Sequence, residues 1–323
     1  MITMRWPIDK TNPQPELLNK AADLLKSGEL VAFPTETVYG LGADAYNAPA
    51  VKKIFEVKGR MPQSPLLVHV SNYSQVEDLV AGIPSRARQL MEQFWPGPLA
   101  VILSASNRVP DEVLGGNTTV GLRMPAHPVA LALIEAAGPI AAPSANLSGR
   151  PSPVSAQHVL DDLGGRIAAI LDAGPTGLGL ESTILDLSRS VPEILRLGGV
   201  PAEQLEAALG CNLKVASGYK TAYHTGEMKI ILCEDEEQWL SLAALAESER
   251  VALVHYGRIP GPSMDANKKA YTLSLGGQGP DLFTIIREAE TRGYKQLIFA
   301  PLPSTLSGLG SALANRIRRA AGS

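Results

Sequence analysis

Leu30-Val31-Ala32-Phe33-Pro34-Thr35-Glu36-Thr37-Val38-Tyr39-Gly40-Leu41-Gly42-Ala43-Asp44-Ala45 sets a short apolar run directly ahead of hydroxyls, an acid and two glycines. The run reads as a short buried strand. The residues behind it read as a Gly-rich, hydroxyl-rich turn. Such a turn places side chains and open backbone N–H groups at one edge of a sheet, where α/β folds hold ligands. On residue types alone, a plain strand-to-helix turn with incidental polar residues is the lesser alternative, open because glycines serve such turns on steric grounds.

Outward from this stretch the pattern alternates. Residues 15 to 28 carry Leu17, Leu18, Ala21, Ala22, Leu24 and Leu25 at helical spacing and stop at Ser27-Gly28. Helices are predicted over Val51 to Val57, Ser85 to Phe94 and Pro128 to Ala137, with extended segments at Leu66 to Val70, Ala100 to Ser104 and Ile140 to Ala142. This order favours an α/β or α+β sheet with helices packed on it. Near Leu209-Gly210 the pattern changes, and residues 212 to 228 read as a linker without a period. Beyond it, Lys229 to Cys233, Val251 to Tyr256, Ala270 to Leu275 and Gln296 to Ala300 read as strands, with helices at Glu236 to Ala246, Asp281 to Arg292 and Leu309 to Ala321. That order fits a small Rossmann-like parallel-sheet domain. The expected division is a domain at 1–211, a linker at 212–228 and a second domain at 229–323.

Composition bounds the class. The chain has 323 residues, 45% hydrophobic and 19% charged, enough for two ordinary globular domains. There is no long apolar span, and Met1 to Pro7 lacks the apolar segment of a signal peptide, so a cytoplasmic protein with no membrane partner is expected. The net charge is -3, with the excess of acids in the first 211 residues, so bulk charge gives no sign of nucleic-acid binding. Cys211 and Cys233 lack the spacing of a zinc or redox pair.

The chemistry-bearing groups are scattered. There is no Walker A sequence, no nucleophile elbow, no HExxH, and no third glycine after Gly308-Leu309-Gly310. A nucleotide triphosphate would therefore meet isolated cations and hydroxyls. Lys58 and Arg60 are the obvious pair, in a loop stiffened by Met61-Pro62 and Ser64-Pro65, although on spacing alone they read equally as solvated cations. Fixed positive charge suits phosphoryl displacement, with arginine as a rigid fork and lysine as a point charge. Ser144 and Asn146 lie two apart, so in an extended segment their side chains share a face. His69 ends an apolar run and, taken alone, reads as a satisfied structural residue. Arg123 sits between Leu122 and Met124-Pro125, where an unpaired charge is costly.

Taken in order, Pro34 to Ala45, Lys58-Gly59-Arg60, Pro65 to His69, Trp95-Pro96-Gly97-Pro98, Gly121 to Pro125, Pro143 to Gly149, Ser182-Thr183-Ile184 and Ile194-Leu195-Arg196 resemble the YrdC-like threonylcarbamoyl-adenylate synthases. The match runs unbroken from about residue 13 to 210, and the rest resembles the family's long, two-domain form. The resemblance implies a YrdC-like twisted mixed sheet with a ligand cleft. It implies synthesis of threonylcarbamoyl-adenylate from L-threonine, bicarbonate or carbon dioxide, and ATP, with release of pyrophosphate. Lys58, Arg60, Ser144 and Asn146 would form a catalytic tetrad around the nucleotide. Thr37, His69, Arg123 and Ser182 would hold L-threonine, with Leu122 and Ala142 lining its pocket. Ser64, Thr118, Ser152, Arg196 and, from the linker, His224 would contact ATP. Mg2+ would arrive with ATP, held largely by phosphates and water. The product would feed a tRNA-modifying transferase complex acting on adenosine beside the anticodon, with tRNA or double-stranded RNA as a further partner.

The chain departs from the family pattern at Met61, Ser64 and Ala100, and none of these removes a charge. In the linker, Tyr223-His224 reverses the family's His-Tyr order, leaving open which of the two reaches the nucleotide. A lid role for the linker is an expectation of the same kind. Two other classes stay open on residues alone: an RNA-binding or ribosome-maturation module, and a carbamoyl-transfer enzyme.

Overall fold

The apolar run at Leu30 does become a strand, but the glycines behind it become another. β2 (Val31–Phe33) pairs antiparallel with β3 (Gly40–Asp44), Val31 opposite Gly42 and Phe33 opposite Gly40. The turn is therefore confined to residues 34–39. The expectation that these glycines offer open N–H groups to a ligand is corrected: both lie in a strand paired on either side, with β2 and with Ile140–Ala141, and packing excludes a side chain at Gly42. A Cβ at Gly42 would fall 2.8 Å from Cγ2 of Ile140 and 3.1 Å from Cε1 of Phe33.

The structure is a computed structural model in which residues 2–216, 223–245, 250–256, 269–273 and 282–322 are described. Parts of four expectations lie outside these residues: linker positions 217–222, the ends of the two helices at 246 and 281, and strand residues 274–275. The chain divides into two compact units, Met1–Ser148 with Ser152–Gly218, and Gly149–Pro151 with Tyr219–Ser323.

In the first unit the remaining strands are β1 (Met4–Pro7), β4 (Leu67–His69), β5 (Leu99–Ser104), β6 (Thr119–Arg123), β7 (Ile140–Ala141), β8 (Ala169–Asp172), β9 (Thr183–Asp186), β10 (Glu193–Arg196) and β11 (Lys214–Val215). Its helices are α1 (Pro15–Lys26), α2 (Ala48–Lys58), α3 (Tyr73–Leu79), α4 (Ser85–Phe94), α5 (Asp111–Leu114), α6 (Pro128–Ala137), α7 (Ala156–Leu163) and α8 (Ala202–Leu209). The strands form one mixed sheet in the order β1-β8-β2-β3-β7-β4-β6-β5-β9-β10-β11.

Alternation along β2 distributes the core. Val31 and Phe33 join one apolar cluster with Leu18, Ala21 and Leu25 of α1 and Leu133 and Ile134 of α6. Leu30 and Ala32 face the other, with Ile54 of α2 and Leu90 of α4, as the two-residue period of a strand dictates. The buried face of α1 (Leu18, Ala21, Ala22, Leu25) follows the three-and-four spacing read from the sequence.

The second unit holds β12 (Lys229–Leu232), β13 (Val251–His255), β14 (Lys269–Thr272) and β15 (Gln296–Phe299), all parallel in the order β12-β15-β13-β14. Its helices are α9 (Glu236–Leu245), α10 (Leu282–Thr291) and α11 (Leu309–Ala321). Trp239, Leu253 and Ile298 are buried together in its core. Among the described residues no helix is long and apolar enough to cross a membrane.

Candidate active site

Local chemistry fixes where Lys58 stands. α2 starts at Asn47, whose side chain accepts from the Ala50 N–H at 3.1 Å, and ends at Gly59 in the left-handed region with φ 60°. A glycine there closes the helix, with the Gly59 N–H bonded to Glu56 O and the Arg60 N–H to Phe55 O, so the chain turns sharply just beyond Lys58. Lys58 is thereby buried. Its Nζ donates to the carbonyl oxygens of Ser144, at 2.6 Å, and of Asn146.

The expected face shared by Ser144 and Asn146 is corrected. The Asn146 N–H folds back to the Ser144 carbonyl at 3.0 Å, so the segment is bent rather than extended and the strand rule does not apply. What converges on Lys58 is therefore two main-chain carbonyls. The Asn146 side chain is buried, with Nδ2 donating to the Leu147 carbonyl at 2.8 Å. Burial drives the Lys58 ammonium down to about 7, the nearby Arg60 cation adds to the effect, and Asp162 opposes it.

Register separates the remaining groups into two ends. β4 and β6 run parallel with His69 opposite Arg123 and Leu67 opposite Gly121. His69 and Arg123 thus close the C-terminal ends of both strands. Ser64, in a turn whose N–H reaches the Met61 carbonyl at 3.0 Å, precedes β4, and Thr118, exposed, precedes β6, so both lie toward the N-terminal ends of these strands. Arg60, half-buried, donates to the Pro65 carbonyl at 3.4 Å on that same side.

At the Arg123 end the polar groups interlock. Arg123 Nε donates to the Gly97 carbonyl at 3.2 Å and Nη1 to Thr37 Oγ1 at 2.9 Å. Thr35 Oγ1 lies 2.6 Å from the Val38 carbonyl, which takes its single hydroxyl hydrogen. Thr37, 2.8 Å from Thr35, must then be the donor of that pair, which leaves its lone pairs to Arg123. His69 is buried against the edge of Phe33, with ring centroids 6.0 Å apart. Burial, then Arg123, holds its imidazole down at about 3 against an opposing contact from Ile140, so it is neutral at pH 7. Its Nδ1 has no hydrogen-bond partner among the described residues. Leu122 is buried on β6, and Ala142 donates its N–H to the Leu67 carbonyl at 2.9 Å.

Ser182 and Arg196, expected to serve different substrates, touch each other. Arg196 donates from Nε to the Ser182 carbonyl at 2.9 Å and from Nη2 to Ser182 Oγ at 3.0 Å. Ser152 donates to Glu181 at 2.9 Å, the residue before Ser182. In the second unit, Tyr223 is buried edge-on to Phe283 at 5.9 Å under the Arg319 guanidinium, whereas His224 is exposed and donates its N–H to the Gly149 carbonyl at 2.8 Å.

The sequence reading passed over Glu36, although it lies in the opening stretch. Its Oε1 is 2.7 Å from Arg123 Nη2. A carboxylate between two threonines, ahead of a buried arginine far along the chain, was the available signal. Among the described residues no group of three or more His, Cys, Asp or Glu is placed to hold a metal ion.

Comparison with known proteins agrees with this architecture. Residues 23–198 match the Sua5/YciO/YrdC family, described as "Telomere recombination", and residues 200–322 match "Threonylcarbamoyl-AMP synthase, C-terminal domain". The threonylcarbamoyl-AMP synthase of Bacillus subtilis is 40% identical, covering 100% of this chain and 99% of that protein. The crystal structure of Pyrococcus abyssi Sua5 complexed with L-threonine superposes with a TM-score of 0.87 at 36% identity, covering 99% of this chain and 98% of that one. A variant of the same protein, with a consecutive histidine and tyrosine replaced by alanine, gives 0.83 at 36% identity over 99% and 97% of the two chains. Similarity this extensive spans both units, and the chain belongs to the threonylcarbamoyl-AMP synthase family.

Proposed function

We propose that this chain makes L-threonylcarbamoyl-adenylate from L-threonine, bicarbonate or carbon dioxide, and ATP, releasing pyrophosphate. The observation that carries the reading is the register pair His69–Arg123 with Thr37 hydrogen-bonded to Arg123, together with the buried Lys58 held on the carbonyls of Ser144 and Asn146 near Arg60. The threonine amine adds to carbon dioxide or bicarbonate, giving a carbamate. A carbamate oxygen then attacks the α-phosphorus, and pyrophosphate leaves. Arg123 takes the amino-acid carboxylate, beside Thr37, neutral His69 and Ser182 and against Leu122 and Ala142. Lys58 and Arg60 balance charge building on the phosphoryl oxygens, with Ser144 and Asn146 around them. Ser64, Thr118, Ser152, Arg196 and His224 complete the nucleotide contacts in this proposal.

Mg2+ comes with ATP, coordinated by its phosphates and water. Two buried or half-buried cations suit those phosphates and not a resident metal. The product passes to a tRNA-modifying transferase complex in the cytoplasm, with tRNA or double-stranded RNA as a further partner. A catalytic domain at 1–211, a linker at 212–228 serving substrate binding and a C-terminal domain at 229–323 belong to the same proposal. Deleting residues 217–226 with no change in threonine or ATP affinity would count against the linker's part. The test of the whole is pyrophosphate release from ATP and bicarbonate with L-threonine, with L-serine and with no amino acid. Strong dependence on L-threonine supports the synthase, and release indifferent to the amino acid refutes it.

A further inference from the structure

Glu36 carries a charge into the threonine end of the site. Its main chain is fixed on both sides. The Leu178 N–H donates to its carbonyl at 2.8 Å, and the Thr35 hydroxyl accepts from the N–H groups of Thr37 and Val38, both at 3.2 Å. The carboxylate is thus presented to Arg123 by a rigid turn. Among the described residues the Glu36–Arg123 pair is the most buried ion pair, with side chains 18% and 4% exposed.

The pair is close but poorly used. Although Oε1 and Nη2 are 2.7 Å apart, their directions miss hydrogen-bond alignment, and neither Glu36 oxygen nor Arg123 Nη2 has an aligned partner among the described residues. The ion pair Arg5–Asp172, by contrast, is more exposed and does form an aligned bond, Nε to Oδ2 at 2.8 Å. Buried charges offset their desolvation only when their remaining hydrogen-bond capacity is filled. A pair built purely to hold the fold has no reason to leave three such atoms unfilled. Nε and Nη1 of Arg123 each already donate once, to Gly97 and Thr37, so Nη2 is the guanidinium nitrogen left for an incoming carboxylate, and that side is where Glu36 stands.

A free α-amino acid carries both missing partners on one carbon. Its carboxylate can take the Nη2 face of Arg123 while its ammonium takes Glu36, so each added charge meets its opposite and the buried site stays neutral. We infer that Glu36 is the counter-charge for the substrate's α-ammonium and is a specificity-determining residue that restricts the site to free, zwitterionic amino acids. The inference rests on the reading that Arg123 holds the amino-acid carboxylate.

The ligand pair that tests it is L-threonine and 2,3-dihydroxybutanoate of matching configuration, in which a hydroxyl replaces the ammonium. Each is titrated calorimetrically into the full chain, wild type and Glu36→Gln, with the melting temperature of each protein recorded. Wild type should prefer L-threonine by at least about tenfold, since a charged hydrogen bond and a buried carboxylate are at stake. In Glu36→Gln that preference should collapse by about tenfold or more, with threonine weakened and the hydroxy acid unchanged or strengthened. Equal weakening of both ligands, or an undiminished preference, would overturn the inference by reducing Glu36 to a support for Arg123. If the Gln variant does not fold, the wild-type arm still decides: a hydroxy acid that binds as tightly as threonine refutes the counter-charge. Wild type that binds no L-threonine at all overturns the synthase reading, and the inference falls with it.

Discussion

Raising the pH should weaken nucleotide binding here well below the range where an ordinary lysine titrates. Lys58 is buried with its ammonium on two carbonyl oxygens, and burial with the neighbouring Arg60 brings it from 10.5 down to about 7. In the empty protein above pH 8 the side chain is therefore largely deprotonated. A bound triphosphate needs the charged form and restores it, so binding must take up a proton. Each pH unit above 7 then costs about 1.4 kcal/mol, or tenfold in affinity, reaching about a hundredfold at pH 9. The assay is calorimetric titration with a non-hydrolysable ATP analogue at pH 7.5, 8.5 and 9.5 in two buffers of different ionisation enthalpy, with the analogue's own phosphate ionisation measured and subtracted. Nearly one proton should be taken up per nucleotide at pH 8.5. In Lys58→Met, affinity should be lower throughout and its pH slope should vanish. Wild-type affinity flat across this range without proton uptake, or a slope that survives in Lys58→Met, would refute the reasoning. The same shift has a stability consequence of definite sign. The unfolded chain binds more protons between pH 7 and 10.5, so the empty fold gains stability as pH rises through that window.

Other consequences follow from the same geometry. His69, neutral when folded because its imidazole is held at about 3 against 6.5 unfolded, makes stability fall as pH drops from 6.5 toward 3. Its share at pH 5 is about 2 kcal/mol, to be read as the difference in urea-unfolding profiles between wild type and His69→Gln. Arg123→Lys removes the fork that spans Gly97, Thr37 and Glu36 while keeping a charge, so KM for L-threonine should rise at least about tenfold in pyrophosphate-release kinetics. An unchanged KM would dismiss Arg123 as the carboxylate site. Leu25→Ala, on the fully buried face of α1 against α6, should cost about 2–5 kcal/mol of unfolding free energy and leave threonine affinity intact.

The sequence by itself determined the elements whose period is local. α1, α4, α6 and α11 were legible because their apolar residues recur at helical spacing, and the four strands of the second unit because each is a short stretch rich in apolar residues. It also determined which residues carry charge or hydroxyls, and through the ordered motifs, the family. It did not reveal β1, β8, β10 or β11, whose pattern is weak along the chain and whose pairing joins residues as distant as Met4 and Ala169. Nor could it tell that Gly40 and Gly42 serve a strand, because the atoms that exclude a side chain at Gly42 belong to Ile140, Phe33 and Val31. The site has the same dependence on distance. Lys58 is an ordinary lysine until the Ser144–Asn146 bend buries it, and Glu36 is an ordinary acid until Arg123 is brought against it. Only the tertiary structure decided these, since desolvation and Coulomb interactions depend on separation in space, and separation along the chain does not encode it.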